Sequence, residues 1–113
     1  MIGVNVTFQY GDQFDRARVL AIAQNARSTF EGMPGLQCKF FTLDDKHHRA
    51  TNFYVWDSPD TAESFFSDEL RERVTGLYGV PPAIHFVEIA QIVNNSAPTT
   101  TDPGHKCRAG TSP

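Results

Sequence analysis

Residues 36–56 read LQCKFFTLDDKHHRATNFYVW, and this stretch decides the fold. Its ends are dense in β-formers and its middle is polar, the pattern of two strands joined by a hairpin. The first strand covers 36–43, with Leu36, Cys38 and Phe40 on one face and Lys39 and Phe41 on the other. Asp44-Asp45-Lys46-His47 forms the connection, and the second strand covers 48–57. Both strands are apolar on both sides. Phe41 opposes Phe40, while Phe53 and Val55 oppose Tyr54 and Trp56.

The flanks supply a strand and a helix on each side. Residues 2–9 alternate, with Val4, Val6 and Phe8 facing one way and Asn5, Thr7 and Gln9 the other. Asp12 is the expected N-cap of a helix over 14–30. There Val19, Ile22, Ala23, Ala26 and Phe30 form an apolar stripe, and Gly32 and Pro34 end the helix. Downstream, Ser58-Pro59 is a cap followed by a first-turn proline. Ala62, Phe65 or Phe66, Leu70, Val74 and Leu77 continue at helical spacing as far as Gly79 and Pro81-Pro82. Residues 83–93 form the last strand.

The order β-α-β-β-α-β gives a ferredoxin-like α+β fold, a four-stranded antiparallel sheet with both helices on one face. One apolar sheet face is then left over, and an open apolar sheet invites association. A second copy related by twofold symmetry is the simplest cover, so a homodimer is expected. One domain over 1–94 is followed by a polar tail over 95–113, rich in Thr, Ser and Pro.

Residues 1–94 carry eight basic side chains against twelve acidic ones. That balance disfavours nucleic acid and anionic membrane as partners. No apolar run is long enough to cross a bilayer, and the N-terminus reads as a strand rather than a signal peptide. Cys38 and Cys107 have no metal-binding spacing and read as two unpaired thiols, which together with the missing export signal points to the cytoplasm. None of the standard nucleotide-binding, zinc-protease or hydrolase motifs is present, so no cofactor and no metal are expected.

Asn52, Tyr54 and Trp56 lie two residues apart and share one strand face. They present an amide, a phenol and an indole N–H along one wall. Such a wall can orient a planar molecule and donate hydrogen bonds to developing negative charge. The same residues also suit plain packing, with Tyr54 and Trp56 under the helices and Asn52 on a backbone group. His85, between Ile84 and Phe86, is either a core histidine or a general base. His47 and His48 read as solvated loop residues.

The pattern Glu31-Gly32-Met33-Pro34-Gly35-Leu36, then a hairpin, then Asn52-x-x-x-Trp56-x-Ser58 and a helix, resembles the antibiotic-biosynthesis monooxygenases of the dimeric α/β-barrel superfamily. Gly35-Leu36-x-x-Lys39 and Tyr78-Gly79-Val80 add a likeness to YdhR-type monooxygenase-like proteins, over residues 4–94. The resemblance implies a cofactor-independent oxygenation, in which a phenolic polycycle loses a proton and its carbanion reduces O₂ directly. It assigns Asn52 and Trp56 to catalysis, with His85 as a further candidate. Tyr54, Phe65 and Phe66 are the candidate substrate contacts. The tyrosine that this family places six residues after the tryptophan is here Ala62, so Tyr54 or His85 would have to replace it. Haem-degrading relatives need a histidine on the second helix, and none occurs between His48 and His85. RNA-recognition modules share the element order, but their glycines and one stacking aromatic are missing here. The expected function is monooxygenation of a small planar aromatic. The alternative is a catalytically silent barrel that binds an apolar ligand.

Overall fold

A computed structural model describes residues 1–95, so all but the first residue of the expected tail lies outside the described residues. Strands β1 (Ile2–Gln9), β2 (Leu36–Asp44), β3 (Arg49–Trp56) and β4 (Ala83–Glu88) are joined through helices α1 (Arg16–Phe30), α2 (Pro59–Phe65) and α3 (Asp68–Tyr78). The sheet order is β2-β3-β1-β4, with every neighbouring pair antiparallel. This is the ferredoxin-like α+β fold that the order of elements dictates.

Four local departures have physical causes. Helix α1 is capped by Asp15 rather than Asp12. A short 3-10 turn over Gly11–Gln13 comes first, and the Asp15 carboxylate accepts from the Arg18 N–H at 3.2 Å. The second helical stretch is two helices, not one. Phe66 leaves the helical conformation, and Ser67 caps a fresh start by accepting from the Leu70 N–H at 3.2 Å. Leu70, Val74 and Tyr78 turn inward at four-residue spacing, and Leu77 is 49% exposed instead of lying in the core. Strand β4 stops at Glu88, not at 93, because Glu88 already lies opposite Ile2, the first residue of β1.

The fourth departure is a bulge in β2. Leu36 lies opposite Trp56 and Cys38 opposite Val55, which leaves Gln37 as an extra residue whose amide donates to the Asp57 carboxylate. Leu36 therefore joins Lys39 and Phe41 on the helix-facing side and not Cys38 and Phe40, as strict alternation would have it.

Val4, Val6 and Phe8 of β1 and Tyr54 and Trp56 of β3 meet Ile22, Ala62, Phe66 and Tyr78 of the helical layer in one core. The other sheet face carries Gly3, Cys38, Phe40, Phe53, Val55, His85 and Val87. Phe40 stacks on Phe53 with ring centroids 6.4 Å apart. The Phe53 ring lies over Gly3, where a Cβ would come within 2.7 Å of it. Cys38 is disulfide-bonded, which corrects the expectation of two unpaired thiols and removes the cysteine argument for a reducing compartment. Cys107 lies outside the described residues. No helix among the described residues is long and apolar enough to cross a membrane.

Candidate active site

The alternation of β1 and β3 aims Val6, Phe8, Asn52 and Tyr54 at the helices, and these side chains form the floor of a cavity. Ile22, Ala26 and Phe30 of α1 form one wall, and Leu70, Val74 and Tyr78 of α3 form the other. Phe65 and Phe66, at the junction of α2 and α3, close one end, and Lys39 reaches in from β2. The enclosed volume is about 60 Å³, room for a few water molecules.

Nearly all of this lining is carbon, which makes its polar groups informative. Asn52 is 4% exposed, and its Nδ2 donates to the Tyr78 Oη at 3.0 Å. The Tyr78 ring is held flat against Phe8, with centroids 3.8 Å apart and an interplanar angle of 3°. Burial raises the Tyr78 pKa, and the Asn52 hydrogen bond acts in the opposite direction. Burial and the neighbouring Tyr78 together push the Tyr54 hydroxyl up strongly. Both phenols are therefore neutral hydrogen-bonding groups at neutral pH. Burial lowers the Lys39 pKa to about 7.

The aromatic groups form a continuous wall. Tyr54 stacks on Trp56 at 6.0 Å, and Phe65 lies 5.0 Å from Trp56 and 5.8 Å from Tyr54. Phe66 meets the Tyr54 ring edge-on at 5.0 Å. Trp56 itself is 1% exposed and stands behind this wall instead of lining the cavity. Its indole N–H has no hydrogen-bond partner among the described residues.

Of the residues expected from sequence, Asn52, Tyr54, Phe65 and Phe66 come together around one cavity, and Trp56 buttresses them. His85 does not join them. It is exposed and lies opposite Asn5 on the other face of the sheet, because Ile84 and Phe86 take the inward positions of β4. Ala62, fully buried, offers no polar group. Three polar or charged lining residues were not given site roles from sequence: Tyr78, Lys39 and Arg71. For Lys39 the signal was its place on one strand face with Phe41, without an indication that this face is the inward one. For Tyr78 the signal was its four-residue spacing from Val74, which Leu77, three residues on, matches as well.

No protein-family model matches the chain, and no curated protein matches it in sequence. Solved structures do match it. A monooxygenase from the gene ActVA-Orf6 of Streptomyces coelicolor, in complex with nanaomycin D, superposes with a TM-score of 0.61 at 20% identity, over 84% of this chain and 92% of that one. SnoaB, a cofactor-independent oxygenase from Streptomyces nogalater, gives 0.57 at 17% identity, over 81% and 94%. A candidate antibiotic biosynthesis monooxygenase from Deinococcus radiodurans gives 0.58 at 15% identity, over 83% and 97%. The chain thus has the fold of the antibiotic-biosynthesis monooxygenases, as the sequence resemblance implied. At these identities the likeness establishes fold alone.

Proposed function

We propose that this protein is a cofactor-independent monooxygenase acting on a planar phenolic polycycle. The observation that carries the reading is the buried Asn52–Tyr78 hydrogen bond inside a mostly apolar, aromatic-walled cavity. A buried amide held by a single phenol is a preorganised donor. A substrate oxygen that takes the place of the Tyr78 Oη would receive the Asn52 N–H as negative charge develops. Phe30, Tyr54, Phe65 and Phe66 supply ring edges and faces against which a flat ring system can lie.

The chemistry balances without a further co-reactant. The substrate gives up a proton and becomes a delocalised carbanion. The carbanion passes one electron to O₂, and the two radicals join in a C–O bond. Loss of water from the protonated peroxide turns a ring CH₂ into a carbonyl. A tricyclic ring system needs more room than this cavity offers, and outward movement of lining side chains such as Phe65 and Leu70 would supply it. The break at Phe66–Ser67 is a natural place for that movement.

The open sheet face, where Phe40, Phe53 and Val87 crowd together, supports assembly as a homodimer, with Val87 left 40% exposed in one copy. The acidic balance of the body supports a small-molecule partner over nucleic acid or an anionic membrane.

The test is oxygen uptake with anthralin, a dihydroxyanthrone, in the presence of the full chain. Uptake above the uncatalysed rate, with the matching quinone as product and a loss of tenfold or more in a folded Asn52→Ala variant, supports the reading. Saturable binding of anthralin without uptake leaves the ligand-binding alternative. Neither binding nor uptake overturns the choice of substrate class.

A further inference from the structure

We propose that Lys39 is the general base of this cavity: its neutral amine takes the proton of a substrate hydroxyl, and the ammonium so formed holds the phenolate in place. The proposal rests on the cavity being a phenol site, as read above, and not on its oxygen chemistry.

Lysine is rarely placed inside a protein unless it is paired. Here the alternation of β2 gives it no choice, since Lys39 lies opposite Tyr54 on the helix-facing side of the sheet. Its Nζ sits 3.4 Å from the ring centroid of Phe30, 4.2 Å from that of Phe41 and 4.3 Å from that of Tyr54. These rings come from α1, β2 and β3, so the amine is enclosed on three sides. Among the described residues no carboxylate lines the cavity, and Lys39 takes part in none of the ion pairs. The titratable or charged groups that share the cavity with it are Tyr54 from β3 and Tyr78 and Arg71 from α3. Helix α1 contributes only Ile22, Ala26 and Phe30.

This arrangement has two consequences. Burial without a counter-charge favours the neutral amine, whose nitrogen lone pair can accept a proton, and brings its pKa down to about 7. Ring faces favour the cation, so the protonated product of the transfer is not stranded. Both forms are therefore accessible near neutral pH, which is what proton transfer in either direction requires. No other lining group can serve. The Tyr54 and Tyr78 hydroxyls are pushed up by burial, Arg71 is always protonated, and His85 is on the far side of the sheet.

The step is a plain proton transfer. The substrate O–H bond breaks, an N–H bond forms at Nζ, and the electron pair stays on oxygen. Nothing is oxidised or reduced. The result is a phenolate–ammonium pair in a dry cavity, with Arg71 at the mouth adding positive potential.

Danthron, a dihydroxyanthraquinone, is a suitable probe. Its central ring is already fully oxidised, so it does not undergo the oxygenation, and its absorption moves to the red on ionisation. The chain has three lysines, Lys39, Lys46 and Lys106. In full-length protein labelled with carbon-13 at lysine Cε, the resonance that is absent in Lys39→Met should titrate several pH units below the ordinary lysine value. Adding danthron at about pH 8, above that midpoint, should move this resonance to its ammonium position. The bound dye should show the anion band, with its ionisation favoured tenfold or more over free dye, and Lys39→Met should abolish that gain.

Three lysines titrating together near their ordinary value would overturn the proposal. So would danthron bound as the neutral phenol, or danthron that fails to bind. If Lys39→Met does not fold, the wild-type titration still decides. Proton transfer to Lys39 without any oxygen uptake would retain the base and reject the oxygenase. Oxygen uptake with a lysine that stays protonated throughout would do the reverse.

Discussion

The Asn52–Tyr78 hydrogen bond can be tested by a double-mutant cycle of Asn52→Ala and Tyr78→Phe. Asn52→Ala removes the donor and leaves the Tyr78 Oη buried without its protein partner. An orphaned buried polar group costs about 1–3 kcal/mol, and lost packing around a buried side chain adds to that. Tyr78→Phe keeps the ring stacked on Phe8 and removes only the hydroxyl, so its cost of about 1–2 kcal/mol reports the hydrogen bond with little change in packing. In the double variant neither group is left waiting for the other, so it should be more stable than the singles add up to, by about 1–2 kcal/mol. Urea unfolding at pH 7, with an unchanged slope against denaturant, measures all four corners. Additivity within about 0.5 kcal/mol would refute the reasoning, because cavity water would then satisfy each group alone. The cycle also separates stability from function. If a substrate oxygen displaces the Tyr78 hydroxyl, Tyr78→Phe frees the Asn52 donor and should bind danthron at least as tightly as wild type, while Asn52→Ala binds it more weakly. A destabilised protein that binds as well or better is not what a purely structural hydrogen bond would give.

Other substitutions address the rest of the molecule. Lys39 gives up its proton near pH 7 in the folded protein and near 10.5 in the open chain, so between those values the unfolded state binds more protons and stability must rise with pH. The drop in pKa sets a ceiling of about 5 kcal/mol, and the ring contacts act against it, so a rise of about 2–4 kcal/mol is expected from pH 7 to 10.5. Denaturation of wild type against Lys39→Met across that range reads it as the difference between the two pH dependences. Gly35 has a φ of +82°, and a Cβ there would lie 2.5 Å from the Thr61 Cγ2. Gly35→Ala should therefore cost about 2–4 kcal/mol in unfolding experiments, from left-handed strain and overpacking together. Trp56→Phe should stay within about 1 kcal/mol of wild type by circular dichroism, because the lost packing is offset by removal of a buried indole N–H that has no partner.

What was legible in the sequence follows from the reach of each signal. Period-two alternation acts within a strand, so it placed Asn52, Tyr54 and Trp56 on one face without knowledge of their neighbours. It failed at Leu36, where the bulge at Gln37 shifts the count by one residue and no residue type announces the shift. Helical spacing likewise carried the apolar positions from Ala62 to Val74. It then chose Leu77 over Tyr78, because positions three and four residues after Val74 both fit a helical stripe. That one-residue error hid Tyr78, the partner of Asn52. Alternation on β4 was legible too, but not which of its faces met the helices, and His85 fell on the other one.

Lys39 marks the boundary between the two kinds of information. That it shares a strand face with Phe41 could be read from β2 alone, but not that this face meets the helices. Its chemistry could not, because that depends on which charges the other elements bring to meet it. A carboxylate from α1 or α3 at the cavity would have made Lys39 half of an ordinary buried ion pair, held as a cation and useless as a base. Instead α1 presents Ile22, Ala26 and Phe30 there, and α3 presents a second cation, Arg71. The acidic residues of α3 lie on its exposed side: Asp68, Glu69 and Glu72 all face solvent. The same amphipathic division that buries Leu70 and Val74 thus keeps counter-charge away from the amine, and a pattern that serves folding leaves the cavity with a base.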